Sequence, residues 1–394
     1  VYTILTSSIF DVYALMRQTM PSYSWTYSDE IKEEILAKID LLTLDDFLPR
    51  AKEKNYSTGT EVKTTISTSQ EYYIPNVKYG YSTISILTLD ISDDNSNIHV
   101  TGVSGHWPTV YGSKQSLYLT TYHYPSWFYY DEENTNDEKI INKTQIHKFS
   151  IAENTSYVAS GLINGYVLNQ FSMSEHDGYF RVATTVDEIT PGDSWWWPSN
   201  SYNNLYVLKE NSSGLLEVKG NITNIANNER IFSARFIGEK GYLVTFEQID
   251  PLFTVDLSDP TNPQIKGELK IPGFSTYLHP LGDTHLIGIG RNADENGWDL
   301  GMQLSVFDVS DMTNPVRTAL HTFGSSWNTY SEASYNHLAF QYYAPLKLLS
   351  IPVTHYDYDY SNYTYNYSNF FNGAIVYQID TDSISEKGNI SHNE

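Results

Sequence analysis

The sequence predicts an all-β chain built from repeated units of four short antiparallel strands. Apolar and aromatic runs alternate with turn residues about every eight to twelve residues. One phrase, in which a β-rich run ends near a polar turn that leads into a second β run, recurs along the chain. Two further strands precede the phrase in five of its six occurrences. Four short strands in each repeat are typical of a β-propeller blade, so we expect a propeller.

The six phrases are spaced by about 47 to 70 residues, a blade period with loops of variable length. They are LTLDISDDNSNIHVTGV from Leu87, IHKFSIAENTSYVASGL from Ile146, LYVLKENSSGLLEVKGN from Leu205, FTVDLSDPTNPQIKGEL from Phe253, SVFDVSDMTNPVRTAL from Ser305 and IVYQIDTDSISEKGNI from Ile375. Each phrase supplies the third and fourth strands of one blade.

The clearest repeat predicts four consecutive strands, joined by turns rich in Gly, Asp, Asn and Pro. These strands are expected at residues 231–237, 241–247, 252–256 and 264–270. In the other complete repeats the first two strands are expected at residues 108–122, 169–186, 276–291 and 335–353. Long loops are expected at residues 124–143, 187–203, 291–302 and 354–372.

The first repeat is expected to be incomplete and interrupted. Residues 1–7 resemble its second strand, which would place its first strand upstream of the chain. A helical insertion within residues 8–70 is predicted from apolar residues at helical spacing, with Pro21 and Pro49 as stops. We therefore expect residues 1–394 to form a single propeller domain, N-terminally incomplete, with six blades represented.

The net charge of −23 results from a shortage of bases, because only 24 of the 394 residues are Lys or Arg. The basic stripe of a nucleic-acid-binding protein is absent, which excludes that class. The chain has no Cys, hence no disulfide or thiolate site, and no apolar run long enough to span a membrane. Ser, Thr, Asn and Tyr take the place of charge, which favours an extracellular or cell-surface location.

Eight Asn-x-Ser/Thr sequons make N-glycosylation a hypothesis. Their number is close to the chance expectation, but most of them fall between apolar runs, where a glycan has room. The acceptor residues are Asn55, Asn142, Asn154, Asn211, Asn221, Asn362, Asn366 and Asn389.

Two Asp pairs stand in the turns DLSDPTNP and DVSDMTNP. The pairs are Asp256 with Asp259, and Asp308 with Asp311. Carboxylate and carbonyl oxygens in such a turn are ligands suited to Ca²⁺. The favoured alternative is that each Asp accepts hydrogen bonds from nearby backbone N–H groups and so fixes the turn. Ca²⁺ is the one cofactor considered, and no EF-hand pattern accompanies it.

Catalytic motifs find no support in the sequence. The eleven His residues are scattered, as at His176, His279, His285 and His337, with neither an HExxH motif nor a GxSxG elbow. No catalytic residue is assigned, and an enzyme is the less favoured class.

Aromatic loops give the more informative functional signal. Flat rings beside carboxylates and carboxamides suit sugar recognition, and the same rings are enriched at protein interfaces. The simpler alternative is that these rings cover blade edges. The candidate binding residues are Trp107, Trp127, Tyr129, Trp195, Trp196, Trp197, Tyr358 and Tyr360.

Several long strings resemble one known family. They are VLNQFSMSEHDGYFRVATT from Val167, the run from Arg230 that begins RIFSARFIGEKGYLVTFEQIDPLFTVDLSDPTNPQIKGEL, and LSVFDVSDMTNPV from Leu304. The family comprises secreted β-propellers of archaea and some bacteria that are distantly related to WD-repeat proteins. The resemblance implies a secreted or surface-attached propeller, with seven or eight blades when intact, and it carries over no catalytic residues.

Two functional hypotheses follow. The first is a non-catalytic extracellular propeller, a structural or interaction protein of the cell surface or of an appendage. It would bind surface proteins, glycans or a second copy of itself through its aromatic loops. The second is a secreted hydrolase with its site at the mouth of the central channel, which would require His or carboxylate side chains from three or more blades to converge.

Overall fold

The computed structural model describes residues 2–8, 33–34, 36–38, 40–41, 48, 50–75, 82–92, 98–105, 107–123, 140–151, 154–189, 200–246, 250–294, 296–325, 328–359 and 364–392. The chain divides into two compact units. The first comprises Val1–Tyr124 with Thr144–Ile163, and the second comprises Pro125–Lys143 with Asn164–Glu394.

The first unit contains two four-stranded sheets and a hairpin. Sheet 1 has the order β1 (Tyr2–Ser8), β5 (Ser82–Thr88), β6 (His99–Gly105) and β4 (Tyr72–Tyr73), with β4 parallel to β6. Sheet 2 has the order β11 (Thr155–Asn164), β10 (Lys143–Ile151), β8 (Ser116–His123) and β7 (Thr109–Gly112). The hairpin pairs β2 (Arg50–Lys54) with β3 (Glu61–Thr65).

The second unit contains four sheets whose main strands pair antiparallel with their neighbours in chain order. Sheet 3 consists of β12 (Met173–His176), β13 (Tyr179–Ile189), β14 (Asn200–Glu210) and β15 (Leu216–Ile225), with β9 (Ile140–Ile141) added to β13. Sheet 4 consists of β16 (Arg230–Ile237), β17 (Lys240–Phe246), β18 (Asp250–Asp256) and β19 (Gln264–Ile271).

Sheets 5 and 6 complete this unit. Sheet 5 consists of β20 (Phe274–Leu281), β21 (His285–Ala293), β22 (Asp299–Asp308) and β23 (Val316–Phe323). Sheet 6 consists of β24 (Thr329–Tyr330), β26 (Leu348–Asp359), β27 (Thr364–Ile379) and β28 (Ile384–Ser391), with β25 (Gln341–Tyr343) also paired to β26.

The cores of the second unit lie between consecutive sheets. Successive strand residues point to opposite faces, so a strand buried on both faces has a continuous apolar run. On β17, Tyr242 and Val244 join the core shared with sheet 5, whereas Leu243 joins the core shared with sheet 3. On β21, Leu286 faces sheet 4, and Ile287 and Ile289 join the core shared with sheet 6. Sheets 4 and 5 are therefore each held between two neighbouring sheets.

A recurring contact joins the fourth strand of one sheet to the Asp-containing turn of the next. A Cβ atom at Gly220 would lie 2.5 Å from the carbonyl oxygen of Pro260, and one at Gly267 would overlap the carbonyl oxygen of Met312. At the corresponding contact of sheet 5, the Thr318 hydroxyl donates to the carbonyl oxygen of Thr381. The close approach explains the requirement for Gly at residues 220 and 267.

The fold confirms the predicted four-stranded units. In sheet 4 the observed strands coincide with the four predicted ones to within two residues. The expected loops at residues 291–302 and 354–372 are instead largely strand, because β21–β22 and β26–β27 extend into long hairpins. Within the predicted helical insertion, residues 33–34 and 36–38 are helical, and the chain becomes a strand directly after Pro49.

The first-strand region of sheet 6 differs from the extended strand that was expected. Between β24 and β26, 3-10 turns at Glu332–Ser334, His337–Ala339 and Ala344–Leu346 flank the short β25. The side chains of Ser331 and Asn336 accept hydrogen bonds from the backbone N–H groups of Ala333 and Leu338, at 3.3 and 3.1 Å. Such side-chain caps compete with strand pairing, which explains the difference.

The turn contact predicts a difference between two alanine substitutions at matched Lys-Gly positions. Gly267→Ala places its methyl group against Met312 and 2.9 Å from Cδ of Pro315, so we expect a loss of about 2 kcal/mol of unfolding free energy. At Gly388 of β28 no described atom lies within 4 Å of the added Cβ, so Gly388→Ala should change it by less than about 0.5 kcal/mol. Denaturant unfolding measures both values, and equal losses would contradict the contact.

Buried His147 predicts that stability falls in mild acid. Burial lowers the pKa of His147 to about 4 from 6.5, so the unfolded chain binds a proton more readily between these pH values. Its stabilising contribution is therefore complete above about pH 6.5 and is lost as the pH falls toward 4. The full loss amounts to about 3 kcal/mol. Melting temperatures of the wild type, His147→Gln and the exposed-site control His392→Gln test this; a pH slope unchanged in His147→Gln would contradict it.

Candidate functional site

Of the predicted aromatic-loop residues, the structure describes the side chain of Trp107. Trp107 precedes β7, is 76% exposed and has a φ of 39°, in the left-handed region that a bulky residue rarely adopts. Tyr358 lies in β26, opposite Tyr365 of β27. The other predicted aromatic residues lie outside the described residues, namely Trp127, Tyr129, Trp195, Trp196, Trp197 and Tyr360.

The predicted Asp pairs are engaged by their own turns. Oδ1 of Asp256 accepts from the backbone N–H and the hydroxyl of Ser258, at 3.0 and 2.7 Å. Oδ1 of Asp259 accepts from the same two groups of Thr261, at 2.9 and 2.7 Å. These hydrogen bonds hold the pKa of both carboxyls below the usual value. The turn-forming role that we favoured is what these contacts describe.

The second pair repeats the arrangement. Oδ1 of Asp308 accepts from the backbone N–H of Ser310 at 2.9 Å, and Oδ1 of Asp311 accepts from the backbone N–H and the hydroxyl of Thr313 at 2.9 and 2.7 Å. Asp90 in the first unit holds the same turn with Ser92. Across the described part of the chain, no group of three or more His, Asp or Glu side chains is placed to hold a metal ion.

The sequons differ in exposure. Asn55, Asn154, Asn221 and Asn389 are exposed, and Asn211 is half-buried. The prediction of Asn142 as a glycosylation site is wrong, because this residue is 1% exposed and its Oδ1 accepts from the backbone N–H of Asp187 at 3.0 Å. Its amide is part of the core, so a glycan has no room there. The side chains of Asn362 and Asn366 lie outside the described residues.

A cluster that the sequence did not identify forms where the first strands of the four sheets in the second unit meet. We call it the inner-strand cluster. Sheet 3 contributes a 3-10 turn directly before β12, sheets 4 and 5 contribute β16 and β20, and sheet 6 contributes the region around β25. The members of the cluster are Gln170, Phe171, Arg235, Tyr277, His279, His337, Phe340 and Tyr342.

Arg235 lies at the centre of this cluster. Its guanidinium carbon is 4.7 Å from the ring centroid of Phe171 and 6.0 Å from that of Tyr277. The Tyr277 hydroxyl is hydrogen-bonded to Arg235 and lies 3.3 Å from Nδ1 of His279. A cation beside two ring faces gains cation–π energy, and this energy increases as water is excluded.

The remaining aromatic residues pack around this centre. The ring centroid of Phe171 is 5.2 Å from that of Tyr277 and 5.1 Å from that of His337, and both pairs are edge-to-face. The ring centroid of His279 is 5.1 Å from that of Phe340 and 5.6 Å from that of Tyr342. Three of these four pairs are edge-to-face and the His279–Phe340 pair is tilted, so rings from three sheets hold one another in place.

Local capping fixes the two turns that contribute to the cluster. Oδ1 of Asn169 accepts from the backbone N–H of Phe171 at 3.0 Å, which sets the 3-10 turn that presents the ring. Asn336 caps the turn that contains His337, and Nε2 of Gln170 lies 3.3 Å from Nδ1 of His337. The cluster is therefore organised before any ligand arrives.

Charge in the cluster is concentrated on Arg235. Burial first, and the positive charge of Arg235 second, lower the pKa of His279 to about 4, so this imidazole is neutral at pH 7. Burial raises the pKa of Tyr277, and Arg235 opposes that rise. Within the described part of the chain, no ion pair joins Arg235 to a carboxylate, since its guanidinium is matched to Phe171 and Tyr277 alone. The cluster therefore presents a cation, neutral hydrogen-bonding groups and ring surfaces.

Part of the signal for this cluster, the position of Arg235 and His279, was present in the repeat. Counting back from each first hairpin, the position two residues before the last paired residue is polar in all four sheets. The residues are Ser174, Arg235, His279 and Gln341. Aligning the repeats on these turns would have revealed a polar row on the first strands. Which rings pack against that row depends on sheet-to-sheet packing, which sequence periodicity does not provide.

Comparisons with known proteins agree with this architecture. Residues 5–394 match the family described as Beta propeller domain. An uncharacterized protein of Methanocaldococcus jannaschii is 39% identical over 201 residues, which cover 51% of this chain and 29% of that protein. An uncharacterized protein of Archaeoglobus fulgidus is 44% identical over 200 residues, which cover 51% of this chain and 28% of that protein. Each match covers less than a third of the relative.

A solved structure is also similar. The periplasmic gluconolactonase of Pseudomonas aeruginosa aligns over 78% of this chain and 92% of its own, with a TM-score of 0.41 and 10% identity. This likeness is too distant to bear on function. Within the described residues, no helix has both the length and the hydropathy needed to cross a membrane. The repeated four-stranded sheets and a family match along nearly the whole chain show that this protein belongs to the Beta propeller domain family.

Proposed function

We propose that this chain is a non-catalytic extracellular propeller, a cell-surface or appendage protein that binds protein or glycan partners through aromatic surface residues. One observation carries the proposal. The chain from residue 330 to residue 346, between the first strand and the long hairpin of sheet 6, exposes large apolar side chains. Three other residues of the same stretch, His337, Phe340 and Tyr342, belong to the inner-strand cluster. We call this stretch the exposed segment 330–346.

The exposed side chains of this segment are concentrated within a short stretch. Tyr335 is 77% exposed, Leu338 68% and Tyr343 58%. Single exposed apolar residues are ordinary, but several in one short segment are typical of an interaction surface. Tyr rings are well suited to this role because they offer contact area and a hydroxyl at low conformational cost.

The segment is anchored on its buried side. Phe340 and Tyr342 pack against His279, and Ala333 is completely buried in the core between sheets 5 and 6. The Ser331 hydroxyl donates to the carbonyl oxygen of Pro352 at 2.6 Å. A surface held in this way loses little entropy when it binds, which supports a binding role.

Exposed sequons and a base-poor composition support the extracellular part of the proposal. Asn55, Asn154, Asn221 and Asn389 are accessible to glycan attachment. Only 24 basic side chains are present, so Ser, Thr, Asn and Tyr supply much of the polar character. Trp107, with its exposed ring and strained backbone, provides a second aromatic contact in the first unit.

A hydrolase acting at the inner-strand cluster is the second candidate. The observation that favours it is that the cluster contains imidazoles from two different sheets, His337 packed against Phe171 and His279 packed against Phe340. Neutral His279 has the protonation state of a general base. His279 is nevertheless surrounded by rings and paired with a phenol that is itself bound to a cation, an arrangement that favours binding over proton transfer.

Replacing the exposed rings tests the binding proposal. Tyr335→Ser combined with Tyr343→Ser should reduce binding to archaeal cell envelopes and to a glycan array by about tenfold or more, because two contact rings are lost. Unfolding free energy should change by no more than about 1 kcal/mol, since both rings are exposed. The control is Tyr56→Ser, a 90% exposed ring in the first unit. Unchanged binding by the double variant would contradict the proposal.

Turnover assays separate the two candidates. The wild type and His279→Asn should hydrolyse chromogenic esters, glycosides and lactones equally little, because the binding proposal includes no catalysis. Hydrolysis that is lost in His279→Asn but kept in His392→Asn, a variant at an exposed site, would favour the hydrolase.

A further inference from the structure

We propose that Arg235 recognises the carboxylate of an acidic sugar, such as a uronic acid, at the inner-strand cluster. The inference rests on the proposed binding function and gives it a ligand class. It is drawn from the contacts of Arg235, from the groups beside it and from the charge of the chain.

Arg235 differs from Arg181, Arg230 and Arg291, which belong to the same unit. Arg291 makes a two-pronged ion pair with Asp299, at 2.5 and 2.6 Å. Arg230 pairs with Asp187 at 3.2 Å. Arg181 donates to the carbonyl oxygen of Gly238 at 2.5 Å and to the Ser174 hydroxyl at 2.7 Å.

Arg235 is half-buried, and its described partners are two rings and one phenol. Removing a cation from water without a counter-charge is unfavourable unless a partner compensates. The guanidinium has five N–H donors, of which the Tyr277 hydroxyl can occupy few. The remaining donors match the two oxygens of a planar carboxylate.

The neighbouring groups suit the rest of a sugar. Gln170 and His337 lie together at 3.3 Å, and neutral His279 lies beside the Tyr277 hydroxyl, so donors and acceptors for hydroxyl groups flank the cation. The half-buried ring of Tyr342 and the exposed ring of Tyr343 supply apolar surface for sugar C–H faces.

The net charge of the whole chain excludes some classes of acidic ligand. With a net charge of −23, the protein repels polyanions at long range. A single carboxylate on an otherwise neutral sugar loses little to that repulsion and gains the full contact with Arg235. A uronic acid fits these requirements better than a polyphosphate or a nucleic acid.

Calorimetric titration of the full chain tests the inference with three probes: D-glucuronate, its neutral counterpart D-glucose, and acetate. Wild type should bind glucuronate about tenfold or more tightly than glucose, and more tightly than acetate. Arg235→Met keeps the apolar stem and should abolish that preference, whereas Arg235→Lys should retain part of it. Arg230→Met, on the same strand, removes a cation already paired to Asp187 and should leave the preference unchanged. Melting temperatures establish that each variant is folded.

Several results would overturn the inference. Equal affinity for glucuronate and glucose, or no binding of either, would show that Arg235 does not recognise a sugar carboxylate. Equal affinity for acetate and glucuronate would show that the sugar ring contributes nothing to binding. A preference that Arg230→Met abolishes as fully as Arg235→Met does makes it a general charge effect. In each case the envelope-binding test of Tyr335 and Tyr343 separately decides whether the proposed function survives.

Discussion

Burial of both faces of sheets 4 and 5 is the constraint on which the second unit depends. A four-stranded sheet with two apolar faces is stable only when a neighbouring sheet covers each face. Strands such as β17 and β21 satisfy this requirement by sending alternate residues into different cores. The Asp-containing turns contribute as well, because two of them sit against a glycine of the preceding sheet. Consecutive sheets are thereby held at fixed positions.

The inner-strand cluster is a consequence of that arrangement. The first strands of consecutive sheets contact one another, so side chains far apart in sequence become neighbours there. Phe171 is presented by the sheet 3 region, yet it packs against the core between sheets 5 and 6. Arg235 and His279 occupy the same register position in successive sheets. The packed cores behind these residues hold the Arg235 guanidinium beside the rings of Phe171 and Tyr277. In a mobile chain the same side chain would extend into water.

Strand positions could be predicted from the sequence because they depend on local patterns. Alternation, a short polar turn and the repeated Asp are readable in a single unit, and the four strands of sheet 4 lie where those patterns place them. The role of Asp256 and Asp308 as turn acceptors also follows from local chemistry. The 3-10 turns near Ser331 and Asn336 were missed because side-chain caps there outweigh an apolar pattern that fits a strand equally well.

The candidate site was less predictable, because its contacts cross sheets. The sequence drew attention to His279 and His337 only as scattered histidines. Nothing local shows that His279 lies beside Tyr277 and that His337 packs against Phe171. Asn142 illustrates the same limit, since its sequon is intact while its amide is committed to β13. Exposure and convergence are properties of packing, whereas a motif is a property of the chain.

Titration of His279 by nuclear magnetic resonance tests the central claim most directly, because the imidazole reports on the cluster around it. The resonance can be assigned from its loss in His279→Asn. A ring buried among Tyr277, Phe340 and Tyr342 beside the Arg235 cation should titrate with a pKa of about 4. A pKa near the ordinary value of 6.5 would show that His279 is in water and that the first strands do not meet as described.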